Sequence, residues 1–192
     1  MAGVETTNGA TVVMRDNSIE GSTPPFSTVY MFDTGYIPYI DRGLGIVLAS
    51  DEDGKFQLNG IGQKTLNVQV VDNVNNISAL VPVDRQGLEY KSGLKRSGTL
   101  QGTIECTRSG RILVFVSGTG YYILLDKQGA FTIKSLSPGS YTVQAALLAP
   151  SLNGAAPAPV AFSEKITVVI NSDKTTVLNE KIIVSGTSYI SN

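Results

Sequence analysis

The stretch "SDEDGKFQLNGIGQKTLNVQ", residues 50–69, has a second copy in "LDKQGAFTIKSLSPGSYTVQ", residues 125–144, at a constant offset of 75 residues and without a gap. Asp51 matches Asp126, Gly54 matches Gly129, and Phe56 and Leu58 match Phe131 and Ile133. Ile61 matches Leu136, Leu66 matches Tyr141, Val68 matches Val143 and Gln69 matches Gln144. Taken alone, Asp51, Glu52 and Asp53 before Gly54 suit either a calcium loop or a tight turn. The second copy decides between them, because Lys127 and Gln128 replace two of the acids while Asp, Gly and the Phe-x-Leu/Ile run persist. The shared parts are those of a hairpin: Asp caps the turn, Gly takes a positive φ, and the alternating apolar pair enters a core. Three neighbouring carboxylates also fall short of the six to eight oxygens a calcium ion takes.

The composition agrees with such modules. At 192 residues, 42% hydrophobic and 16% charged, the chain suits one large or two small domains. Net charge is −1, so no basic excess exists to neutralise phosphates, and a nucleic-acid role is unsupported. There is no histidine, which removes Ser-His and Cys-His pairs and His-ligated metal sites. Cys106 is the only cysteine, so no intramolecular disulfide forms, and a structural, mostly buried thiol is expected there. No apolar run is long enough for a membrane span, and "MAGVETTNGA" lacks the basic start and apolar core of a signal peptide.

Short alternating runs rich in Val, Ile, Thr, Tyr and Phe fill the rest: "ATVVM", "STVYMF", "GIVLAS", "ISALVPV", "TLQGTIE", "RILVFVS", "YYILL", "YTVQAALL", "KITVVI", "TVLNEKIIV" and "SYIS". Turn residues punctuate them, which predicts an all-β chain of two tandem antiparallel β-sandwich modules. The expected division is 1–94, with an insertion "DTGYIPYIDRG" at 33–43, and 95–192. The proline-rich "LLAPSLNGAAPAPVAF" reads as a surface loop.

The second copy resembles the carboxypeptidase regulatory-like family of small transthyretin-like or immunoglobulin-like sandwiches. Its pattern, D-x-x-G-x-F-x-L-x-x-L-x-P-G-x-Y-x-V, is met by Asp126, Gly129, Phe131, Ile133, Leu136, Pro138, Gly139, Tyr141 and Val143. The first copy departs from it, with Gln63 and Lys64 at the Pro-Gly positions and Leu66 at the tyrosine. The resemblance implies mostly non-catalytic spacers, adhesion parts or accessory domains, and export to the cell surface with a leader that this chain lacks. It implies no cofactor.

Other constellations have ordinary readings beside sharper ones. "MFDTG" at 31–35 matches the aspartic-protease signature, but that chemistry needs two carboxylates, and the ordinary reading is a strand ending in a turn at Asp33 and Gly35. "SGTGYY" at 117–122 has strands on both sides, so a glycine hairpin is expected rather than a phosphate loop. Tyr36 and Tyr39 in the insertion either stack on a sugar or protein partner or cover the end of a sandwich. Asn76 heads a glycosylation sequon, "NIS". Lys165, Lys181 and Asn179 bring to mind Lys–Asn isopeptide bonds, though alternation turns them to solvent.

Two functions follow as expectations. One is an extracellular structural subunit, fibre- or pilus-like, that packs against copies of itself by strand exchange. The exchanged strands would be Thr11, Val12, Val13 and Met14, or Tyr189 and Ile190, because neither end shows a local hairpin partner. The other is a monomeric carbohydrate- or protein-binding module. An enzyme is not expected.

Overall fold

The computed structural model describes residues 8–41, 45–61, 65–150 and 157–185. Its elements, in chain order, are β1 (Gly9–Met14), β2 (Ser18–Ser22), β3 (Thr28–Asp33), β4 (Ile46–Ala49), β5 (Lys55–Asn59), β6 (Leu66–Asp72), β7 (Ile77–Val83) and β8 (Glu89–Gly93). They continue as β9 (Gly98–Cys106), β10 (Arg111–Val116), β11 (Tyr122–Leu125), β12 (Gly129–Leu136), β13 (Gly139–Leu148), β14 (Pro159–Phe162), β15 (Ile166–Ile170), β16 (Thr175–Val177) and β17 (Ile182–Val184). No α-helix occurs among the described residues.

The strands form two sandwiches in tandem. In the N-terminal half a β5-β2-β1-β8 sheet faces a β4-β3-β6-β7 sheet. Between them lies one core that includes Val12, Met14, Ile19, Met31, Phe56, Val68, Val70 and Val81. In the C-terminal half a β11-β10-β13 sheet, edged by β14 and β15, faces a β12-β9 sheet edged by β16 and β17. Its core includes Leu100, Ile104, Val114, Phe131, Leu136, Tyr141, Val143 and Ile170. Period-two alternation fills each core from both sheets.

The Phe-x-Leu/Ile strand of the repeated stretch pairs the same way twice. Phe56 lies opposite Gly21 on the neighbouring strand, and Phe131 lies opposite Gly102. Each ring covers its glycine so closely that a Cβ would sit 2.5 Å from the ring in the first half and 2.6 Å in the second. The cross-strand aromatic supplies the apolar cover that the glycine lacks.

Three expectations need correction. Thr11–Met14 does have local partners, since β1 pairs antiparallel with β2 on one side and β8 on the other. The local partner β2 lies within "RDNSIEGSTPP" and is entered by a short turn in which Arg15 N donates to Ser18 O. The C-terminal half is not wholly antiparallel, because β16 and β17 both run parallel to β9. Part of the proline-rich loop is also a strand, β14, which opens on Pro159 at a sheet edge where a missing N–H costs nothing.

The junction between the halves as a candidate functional site

The insertion begins where β3 ends. Asp33 starts a turn in which its carboxylate accepts from Gly35 N at 3.0 Å and its carbonyl accepts from Tyr36 N at 2.9 Å. That carboxylate is engaged by its own backbone, as the turn reading of "MFDTG" requires. A second turn closes when Asp41 accepts from Ile37 N at 2.7 Å. The segment between carries Ile37, Tyr39 and Ile40 onto the outer face of the C-terminal half. There they pack against Leu113, Phe115, Ala146 and Leu148, all buried. These four alternate with the core residues of β10 and β13, so both faces of that sheet are apolar and the insertion covers the outer one.

Tyr36 and Tyr39 are therefore built into the contact between halves. Tyr36 stacks on Phe32 at 5.3 Å, and Tyr39 meets Tyr122 at 5.7 Å. Burial, and then the nearby Asp41 and Tyr122, raise the Tyr36 hydroxyl above its ordinary pKa. Neither ring is the free platform that sugar stacking would use.

A second set of contacts is polar. The hairpin of "SGTGYY" is pinned internally by Thr119 Oγ1, which donates to Val116 O at 2.8 Å and accepts from Tyr121 N at 3.1 Å. Its tip reaches the first half: Gly118 N donates to Tyr36 O at 2.7 Å, and Asn67 Nδ2 donates to Gly118 O at 2.8 Å. Behind it, Gln69 Nε2 donates to the Tyr121 hydroxyl and, at 3.3 Å, to Ser137 Oγ. Ser137 N donates to the Tyr121 oxygen at 3.1 Å, and Ser137 Oγ donates to Ser78 Oγ at 2.9 Å. Gln69, Ser78 and Ser137 are all buried. Burial raises the Tyr121 pKa, against the lowering effect of its bonds to Ser137 and Gln69, so the network works with a protonated phenol. Buried polar groups satisfied across an interface fix its geometry.

The remaining candidate residues serve the fold. Asp51 Oδ1 accepts from Asp53 N at 3.0 Å and Lys55 N at 2.6 Å, and Gly54 has φ 74°. Asp126 departs from the expected cap: its exposed carboxylate faces Arg111 at 3.4 Å. Gln128 Oε1 instead accepts from Cys106 N at the end of β9, at 2.9 Å, which ties the turn to the neighbouring strand. Leu58 and Ile133 lie beside Phe56 and Phe131 in their respective cores. After Pro138 and Gly139, the Tyr141 hydroxyl donates back to Ser137 O, and burial pushes its pKa up. Cys106 is half-buried against the core. Lys181 pairs with Glu105, and Lys165 and Asn179 are exposed. Asn76, the acceptor of the sequon, is exposed in the β6–β7 turn, whereas its Ser78 is buried in the junction. Tyr189 and Ile190 lie outside the described residues. The sequence reading missed Asn67, Ser78, Tyr121 and Ser137. The only signal was Gln69, a polar side chain recurring at the matched position Gln144 inside an apolar strand.

No protein-family model matches the chain, and no curated protein matches it. A solved structure similar to it is that of GBS52, the minor pilin of the Gram-positive pathogen Streptococcus agalactiae. That likeness spans 90% of this chain and 88% of the other, at 12% identity and a TM-score of 0.37.

Proposed function

We propose that the chain is a non-catalytic structural subunit of the cell surface, of fibre- or pilus-like type, which packs against copies of itself. The observation that carries this reading is the spending of the insertion. A loop with two tyrosines and two isoleucines, the best binding element in the sequence, is used to clamp one sandwich onto the next. A tandem unit braced by an apolar clamp and a buried hydrogen-bonded network is suited to hold shape and spacing. The monomeric binding module loses its proposed platform, since Tyr36 and Tyr39 are occupied.

The mode of assembly changes with the structure. Thr11–Met14 is paired on both sides, so exchanging it means taking apart its own sheet. Exchange through Tyr189 and Ile190 is the form of that mechanism that remains. Assembly through a folded surface needs no strand to leave its sheet, and it is the form we favour. Electron microscopy and light scattering of the intact chain test the reading: particles much larger than the 20.3 kDa monomer, growing with concentration, are expected. A monomer at every concentration contradicts it. Deleting residues 186–192 then separates the two modes, because surface assembly survives the deletion and strand exchange does not.

A further inference from the structure

The free tip of the N-terminal half is built in an unusual way. Between β2 and β3 the chain turns through Pro24, Pro25, Phe26 and Ser27, closed by Ser27 N donating to Pro24 O at 3.3 Å. Phe26 takes the third position of this turn with φ 57°. That position, with proline before it and a positive φ, ordinarily selects glycine, and a bulky side chain there is strained. The strain is maintained by buried hydroxyls. The Pro24 carbonyl accepts from Ser27 Oγ at 2.7 Å, Thr23 Oγ1 at 2.9 Å and Ser50 Oγ at 3.1 Å. All three residues are buried. Phe26 N also donates to Asp51 O at 3.2 Å. This effort presents to solvent a phenyl ring whose residue is 70% exposed. Val74, 89% exposed, lies in the β6–β7 turn at the same end, where Asn73 Nδ2 donates to Thr28 Oγ1. Glu52 and Asp53, both exposed, stand in the adjoining turn. The result is a rigid apolar point with an acidic flank. Strain held at an exposed position, with no packing to reward it, is the mark of a contact residue.

The complementary shape is on the other half. At the edge of the clamp, Leu148, Pro150, Pro157 and Val160 line an apolar hollow of about 640 Å³. Arg108 and Arg111 stand at its rim. Among the described residues Arg108 has no ion pair, and Arg111 has only the exposed Asp126.

Resting on the self-assembly reading, we propose that the Phe26 tip of one copy seats in the Arg108–Arg111 hollow of the next. The ring enters the apolar floor, and Glu52 and Asp53 meet the two guanidiniums. The tip precedes β3, whereas the hollow is reached only past all of β3 and, through the Thr34–Gly118 region, all of β10. Tip and hollow are different surfaces, so the contact is heterologous. It leaves one tip and one hollow free at every stage and propagates as a filament.

Two variants of the full chain test this. The first, Phe26→Gly with Glu52→Lys and Asp53→Lys, has a disabled tip and an intact hollow. The second, Arg108→Glu with Arg111→Glu, has the reverse. All five positions are exposed, so both variants keep the parent fold, checked by circular dichroism and melting temperature. In sedimentation velocity each variant alone is expected to stay monomeric where the intact chain forms long particles. An equimolar mixture is expected to stop at two chains, because only one tip–hollow pair can form. Polymerisation of either variant like the intact chain overturns the proposal while leaving self-assembly standing. A mixture that stays monomeric overturns it as well. An intact chain that is monomeric throughout overturns both readings.

Discussion

The two halves share a repeated hairpin, yet they complete the sheet behind it differently. In the C-terminal half, β9 has β12 on one side and takes β16 and β17 directly on the other, in parallel. In the N-terminal half the equivalent strand, β2, has β5 on one side, and β1 is inserted before β8. Since β1 is antiparallel to both neighbours, β8 still runs parallel to β2, as β16 and β17 run to β9. One added strand therefore widens the sheet without changing the direction of its last member. The two cores are built alike around Phe56 and Phe131, and the difference lies at the margin.

The largest expected effect tests the shared part. Phe56→Ala and Phe131→Ala each leave a cavity over a glycine that cannot fill it, and each should cost ~3–5 kcal/mol in denaturant titration. A loss in either half under ~1 kcal/mol would break the equivalence.

The glycines under those rings sharpen the contrast. A Cβ on Gly21 would sit 2.2 Å from the backbone oxygen of Thr11, on the inserted strand. The nearest atoms to a Cβ on Gly102 belong to side chains, the Phe131 ring at 2.6 Å and Leu178 at 3.1 Å. Both substitutions overpack, at ~1–3 kcal/mol, with Gly21→Ala at the upper end because a backbone must move and Gly102→Ala at the lower. Equal costs would mean that β1 does not hold Gly21 in place.

The junction comes next. Tyr121→Phe leaves Gln69 and Ser137 N short of a partner in a buried site, at ~1–3 kcal/mol. Burial raises the pKa of Tyr121 and Tyr141 above the ordinary 10.0, so the folded state holds those protons more tightly than the unfolded chain does. Their contribution is complete below pH 10.0 and is lost as pH rises past it. Tyr121→Phe should make that alkaline loss shallower in a titration of melting temperature.

The smallest contrast lies in the two turns. Asp51→Ala removes two hydrogen bonds to backbone N–H and should cost ~1 kcal/mol. Asp126→Ala breaks an exposed ion pair and should leave the denaturation midpoint unchanged.

Most strands were legible because their inner faces carry side chains at every second residue. Those that escaped notice lack that signal for a physical reason. In β2 the inner face reads Ile19 then Gly21, and the core side chain missing at Gly21 is supplied by Phe56 from another strand. β8, with Tyr90 as its only large apolar residue, lies at an edge and is half exposed. The break between β16 and β17 is invisible in "TVLNEKIIV", since both segments alternate. The clamp is harder still to read. Ile37, Tyr39 and Ile40 look like an exposed recognition loop until the outer face of β10 and β13 is seen to be apolar too. Their partners lie about 75–110 residues away in sequence, and local spacing carries no trace of that contact.

The central claim, that the clamp and junction hold two copies of one sandwich as a single body, is tested most directly by backbone residual dipolar couplings in one weakly aligned sample. The account predicts that couplings from residues 9–93 and from residues 98–184 fit the same alignment tensor, in magnitude and in orientation. Two tensors of different magnitude would show the halves moving independently, and would contradict it.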